Sequence, residues 1–186
     1  RSTLFPYTTL FRSIGSFAAT TPGEVSGALA RLESQGAAGL VIDLRNNGGG
    51  LVASAVQVCS SFLAAGTEVV TVERRSRSEV KRALPRRISR LPLVVLVNGE
   101  SASAAEIMAA ALHDAQAATL VGSRTFGKGT VQRYVPLGDG SGLKFTSAHY
   151  RTPKGTRIHG SGILPDVPEK EDAALKRCLR LLHSRV

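Results

Sequence analysis

The sequence predicts an α/β fold in which helices pack on a mixed β-sheet. Three observations carry this. Two near-continuous apolar runs, GLVIDL at 39–44 and LPLVVLV at 91–97, have the pattern of strands buried on both faces. Stretches with apolar residues at helical spacing lie before, between and after them. The resulting alternation of strand and helix puts helices against a sheet.

Taken in order, residues 1–13 (RSTLFPYTTLFRS) resemble the translation of a DNA-sequencing adapter residue for residue. They are set apart as foreign, as a fusion scar would be, and native sequence is expected from Ile14. A native strand over residues 3–11 is the alternative. Residues 20–36 read as a helix with Thr21 as N-cap, Pro22 in its first turn, Glu24 closing a capping box, and Gly36 as its stop. After the strand at 39–44 come the loop RNNGGG at 45–50 and a helix over 51–65 ending at Gly66. Residues 68–73 alternate as a strand, and the basic stretch that follows is expected to turn through Pro85. Beyond the strand at 91–97, a helix is expected over 102–116, a short strand over 118–121, and a glycine-flanked loop around Lys128. Strands at 131–137 and 143–150 are joined by the turn-rich GDGSG, and an amphipathic helix over 172–184 closes the chain.

Composition narrows the function. At 186 residues, 42% hydrophobic and 20% charged, the chain suits one globular domain. No apolar run approaches the ~20 residues of a membrane-spanning helix. Cys59 and Cys178 cannot staple a small scaffold, and they and the four histidines form no metal-ligand motif; no cofactor or metal is expected. The net charge of +10 comes from 24 basic and 14 acidic residues, and the segment 73–90 alone supplies +6 of it. That segment holds no aromatic residue on which a base could stack, so it reads as a solvated hairpin face and not as a specific nucleic-acid site.

Three loops that follow expected strands could carry chemistry. Asp43 to Gly50 could present backbone N–H groups to an anion beside the start of a helix, or be a flexible turn. Asn98 to Glu106 puts small residues and two serines at a strand-to-helix junction; a serine there could be a nucleophile or an ordinary helix cap, and the G-x-S-x-G spacing is absent. Thr125 to Gly129 places Lys128 between glycines without completing a phosphate-binding loop. A serine nucleophile needs a base, and no histidine stands in a protease-like context. A lysine made neutral by burial can serve instead, which makes serine plus lysine a workable pair.

Together LVIDLRNNGGG (40–50), LVVLVNGESASAAEI (93–107), VGSRTFGKGTVQ (121–132) and GILPDV (162–167) resemble the catalytic core of the carboxyl-terminal processing, or tail-specific, proteases of serine peptidase family S41. SFAATTPGEV (16–25) fits the family's entry to its first core helix. The resemblance implies a ClpP/crotonase-like spiral core over residues 14–186, with a signal segment and a PDZ domain upstream. It implies Ser103 as nucleophile, Lys128 as base, Gln132 as the residue orienting the lysine, and the N–H groups of Gly49 and Ala104 as oxyanion donors. Asp114 matches an aspartate linked to activity in some members, while Ser101, Asp43 and Arg45 read as structural. The expected substrates are proteins with apolar or unfolded C-terminal tails, cleaved through an acyl-enzyme. The location implied is periplasmic or otherwise extracytoplasmic, with membrane association. The sequence departs from the family at Gly48, where a proline is usual, and at Gly99-Glu100. A noncatalytic relative that binds a peptide or another ligand, and a crotonase-like acyl-CoA enzyme, are the rival readings.

Overall fold

A computed structural model describes residues 9–86 and 89–184. Residues 1–8 of the segment read as foreign, and Arg87 of the basic stretch, lie outside the described residues. The elements are β1 (Thr9–Ser13), α1 (Thr21–Ser34), β2 (Gly39–Asp43), α2 (Val52–Cys59), β3 (Glu68–Arg74), β4 (Arg77–Arg82), β5 (Leu93–Val97), α3 (Ala104–Asp114), β6 (Thr119–Gly122), β7 (Thr130–Pro136), β8 (Gly142–Arg151), β9 (Val167–Pro168) and α4 (Glu171–His183).

The strands form two sheets. A parallel sheet runs in the order β1-β2-β5-β6-β9, and an antiparallel one in the order β4-β3-β8-β7. The two apolar runs became β2 and β5, adjacent strands at the middle of the parallel sheet, each buried along its whole length. Their alternation divides the interior. Leu40, Ile42, Leu93, Val95 and Val97 face one core with residues of α1, α2 and α3, while Val41, Val94 and Leu96 face a second core closed by Ala174, Cys178 and Leu182 of α4. The first core also takes Val69, Val70 and Val72 of β3 and Ala148 and Tyr150 of β8, so α3 is sandwiched between the sheets with α2 packed beside it. Every residue of α3 from Ala104 to Leu112 is buried. Five of those nine are alanines, and such small side chains let both sheets approach the helix closely.

Several boundaries differ from the sequence reading. Thr21 does not cap α1. Its hydroxyl accepts from the Ala18 N–H (3.0 Å) and donates to the Ser16 carbonyl (3.1 Å), and Thr20 stands at the N-cap without a side-chain bond. Helix α2 ends at Cys59, short of the expected residue 65, and tighter turns follow. There the Ser60 hydroxyl donates back to the Val56 carbonyl (2.7 Å) and accepts from the Leu84 N–H (2.9 Å). The basic stretch does not wait for Pro85 to turn. It folds back at Arg75-Ser76, and β4 pairs with β3 as an edge strand. An edge strand needs little apolar surface, so RSEVKR carried no hydrophobic signal. Strand β9, two residues long, was not expected at all.

Candidate active site

Loops at the C-terminal ends of β2, β5 and β6 meet at the N-terminus of α3, and buried side chains join them. The Ser101 hydroxyl donates to the Leu44 carbonyl (2.7 Å) and accepts from the Asn98 N–H (3.0 Å). Asn98 Oδ1 accepts from the Asn46 N–H (3.0 Å), and Asn98 Nδ2 donates to Asn46 Oδ1 (2.9 Å). Wholly buried Asn47 donates from Nδ2 to the Ile14 carbonyl (2.6 Å), and its own carbonyl accepts from the Ala102 N–H (2.9 Å). Asp43 receives Arg45 in a two-pronged ion pair, Nη2 to Oδ2 at 2.7 Å and Nε to Oδ1 at 2.9 Å. That carboxylate raises the Arg45 pKa above its ordinary value. Ser101, Asp43 and Arg45 thus brace the loops.

Ser103 sits at the N-cap of α3 with φ 56° and ψ −115°. A non-glycine residue at positive φ costs energy, and such strain gathers where a side chain must be aimed. The sharp strand-to-helix turn is the backbone feature of a nucleophile elbow, made here without its usual spacing. Gly49 lies directly against it. A Cβ on Gly49 would fall 2.7 Å from Ser103 Cβ, 2.8 Å from the Ala102 carbonyl oxygen and 2.9 Å from the Ala104 nitrogen, and Gly49 itself has φ +103°. Only glycine permits that approach. The Gly49 N–H donates to Asn47 Oδ1 (2.8 Å), whereas the Ala104 N–H, first in the helix, has no acceptor among the described residues. Gly48 has open space around it, so the proline usual there in the family would meet no neighbour at its Cβ.

Glu106, wholly buried on the first turn of α3, holds the arrangement together. Its Oε2 accepts from the N–H groups of Ser103 (2.9 Å) and Lys128 (2.8 Å). Its Oε1 accepts from the Thr125 hydroxyl (2.6 Å) and the Gly127 N–H (2.7 Å). A buried carboxylate is tolerable only when its oxygens are met by donors, and this one meets four. One carboxylate oxygen therefore joins the main chain of Ser103 to that of Lys128. The sequence reading missed Glu106, although the S-x-x-E spacing from Ser103 is that of a capping box and α3 forms one there.

The side chains of the expected pair do not meet. Lys128 is exposed, and its ammonium has no hydrogen-bond or ion-pair partner among the described residues. Gln132, on β7, is exposed and donates from Nε2 to Thr146 Oγ1 (2.8 Å), away from Lys128. Asp114 stands at the other end of α3 from Ser103. It accepts from the Lys154 N–H (2.9 Å) and contacts His113 Nδ1 (3.3 Å). His113 in turn contacts Asp166 at 2.9 Å, so the far end of α3 is pinned to two surface loops.

This fold and these loops define a class. The profile of peptidase family S41 matches residues 13–168, and the chain belongs to that family. It is 46% identical over 153 residues to the carboxyl-terminal-processing protease of Synechocystis sp., covering 82% of this chain and 36% of that protein. With the carboxy-terminal processing protease CtpA of Bacillus subtilis the identity is 46% over 155 residues, covering 83% and 33%. Among solved structures, the photosystem II D1 C-terminal processing protease superposes with a TM-score of 0.84 at 38% identity, covering 94% of this chain and 46% of that one. The tricorn protease, at 16% identity and a TM-score of 0.62, shares the ClpP/crotonase-like fold. The chain spans about a third of the length of the curated relatives it matches.

Proposed function

We propose that this chain is the catalytic core of a serine endopeptidase of the C-terminal processing type. The observation that carries the reading is the shared carboxylate of Glu106, which fixes the main chain of Ser103 and of Lys128 to one oxygen. In this reading the lysine side chain turns from that anchor to bring its amine to the serine hydroxyl. Lys128 takes the Ser103 proton as Oγ attacks a peptide carbonyl carbon. The oxyanion forms against the Ala104 N–H, with the Gly49 N–H shared between it and Asn47. One such donor is typically worth about 3–4 kcal/mol in the transition state. The carbon–nitrogen bond breaks, the lysine returns its proton to the leaving amine, and water hydrolyses the acyl-enzyme. Gln132 orients the lysine once it leaves Thr146, and Asp114 supports the site by fixing the far end of α3. Substrates are proteins with apolar or unfolded C-terminal tails. The names of the relatives support C-terminal processing of proteins, and the chloroplastic one supports a location outside the cytoplasm; the apolar tail and the membrane surface belong to the proposal itself.

Residues 1–13 remain foreign sequence in this reading, and the natural protein carries a signal segment and a PDZ domain upstream. The family match takes in Ser13 and none of residues 1–12. The pairing of β1 with β2 does not oppose it, because main-chain bonds to an edge accept almost any extended segment.

An unfolded protein with an apolar C-terminus, followed by intact mass, tests the chemistry. Cleavage is expected from the unmodified chain and from neither Ser103→Ala nor Lys128→Ala. Undiminished cleavage by Ser103→Ala would end the proposal. The bond from Gln132 to Thr146 favours one second reading, a noncatalytic S41-like module. That reading expects tail binding with no turnover.

A further inference from the structure

Strands β7 and β8 leave the body of the protein as a two-stranded ribbon. Strand β8 pairs with β3 only at His149, Tyr150 and Arg151, while β7 stays beside it from Thr130 to Pro136. One face of the ribbon exposes apolar side chains beside Arg133. Val135, Leu143 and Phe145 share one face, being cross-strand neighbours in the register Val135↔Leu143 and Arg133↔Phe145. Leu143 is 52% exposed, and Tyr134 on the opposite face is 66% exposed.

Hydrogen-bond alternation fixes which main-chain groups face outward. The Leu137 N–H donates to the Ser141 carbonyl (2.8 Å), which makes that pair a bonded one. Bonded and non-bonded pairs alternate along an antiparallel ladder. Val135 and Arg133 therefore bond to β8, while Gln132, Tyr134 and Pro136 turn their main-chain groups to the open edge. Pro136 has no N–H to lose, which fits that assignment. The free edge of the same sheet at β4 carries Arg77, Glu79, Lys81 and Arg82, the kind of charged guard that stops edges from recruiting strands. Strand β7 has one charged residue, Arg133, and it opens two residues after Lys128. A chain paired along β7 would run straight into the loop that Glu106 ties to Ser103.

We propose that the outer edge of β7 binds an extended, apolar polypeptide by strand addition, through the main chain of Gln132 and Tyr134, and leads it to Ser103. The exposed apolar face of the ribbon supplies contacts for alternate side chains of that guest. This rests on the protease reading above, and it names how that site holds its substrate. The opposite edge of the ribbon, at Gly142 to Thr146, has its own outward N–H groups but lies the width of the ribbon away from Lys128, so it serves as the control.

The test is binding, which needs no turnover. A fluorescent peptide of alternating valine and alanine with a free C-terminus is titrated into the Ser103→Ala chain and followed by anisotropy. Tyr134→Pro deletes the outward N–H while sparing the bonds of Arg133 and Val135 to β8. It should weaken binding by about tenfold, whereas Tyr134→Ala and Lys144→Pro should change it by less than about threefold. A peptide N-methylated at alternate residues should lose about as much affinity for a chain with β7 unaltered, which covers the case in which Tyr134→Pro disturbs folding. Unchanged affinity in both the proline variant and the methylated peptide, an equal loss in Lys144→Pro, or no saturable binding would overturn the edge proposal. Labelling of Ser103 in the unmodified chain by a small fluorophosphonate reports on the chemistry separately. Labelling without peptide binding ends strand addition alone, and peptide binding without labelling ends the nucleophile assignment alone.

Discussion

Replacing Glu106 with glutamine changes almost no volume and removes one thing, the ability of both side-chain oxygens to accept. The carboxylate takes two donors on each oxygen: Ser103 and Lys128 N–H on Oε2, Thr125 hydroxyl and Gly127 N–H on Oε1. An amide keeps one oxygen and presents an NH2 group in place of the other. If the NH2 faces Thr125 and Gly127, the hydroxyl can turn round and accept, but the Gly127 N–H is orphaned. If it faces Ser103 and Lys128, two N–H groups are orphaned. At least one buried donor is thus lost, at ~1–3 kcal/mol, and the surviving bonds fall from charge-assisted to neutral strength. The expected cost is about 2–4 kcal/mol in urea unfolding. Ser103 should also lose its fixed aim, so fluorophosphonate labelling should slow by at least about tenfold even at temperatures where Glu106→Gln stays folded. A variant as stable as the parent and labelled at the same rate would refute the claim that this carboxylate assembles the site.

Two further outcomes follow from other buried groups. Gly49→Ala should destabilise the chain by about 2–4 kcal/mol and abolish labelling, since its Cβ would lie 2.7 Å from that of Ser103 at a φ of +103°; a labelled, stable variant would show that the two loops are not held in contact. Burial pushes the Cys59 thiol up to about 12, from an ordinary value near 9. Above pH ~9 the unfolded chain gives up this proton and the folded chain keeps it, so stability should fall by about 1.4 kcal/mol per pH unit between those values. Cys178, likewise pushed up to about 12 by burial, adds in the same direction. Thermal melts from pH 8 to 10.5 should show a shallower decline in Cys59→Ala, and an unchanged decline would refute the assignment.

The middle of the parallel sheet was legible because β2 and β5 are buried on both faces, which forces runs such as LVVLV, whereas its edge strands β1 and β9 were not. The antiparallel edge was not. Strand β4 reads RSEVKR, and its partner β3 supplies the buried side, so its own pattern had no need to be apolar. Family motifs singled out Ser103, Lys128, Gly49 and Ala104, and the structure brings their main chains together. What the sequence could not convey is side-chain orientation. Lys128 points to solvent and Gln132 bonds Thr146, because each sits on an exposed surface where no packing dictates a single rotamer. Glu106 was overlooked because a lone acidic residue among alanines looks like ordinary helix surface until the helix is known to be buried all round.

Helix α3 also sets where this protein can change over generations. The helix is buried between the sheets and five of its residues from Ala104 to Leu112 are alanines, so a larger side chain there would have no room. The ribbon of β7 and β8 has the opposite character. Its outer half is exposed and touches little beyond its own two strands, so residues such as Leu143 and Phe145 can be exchanged singly at small cost to folding. Descendants of this chain are therefore free to vary the ribbon while the loops gathered around Ser103 stay frozen.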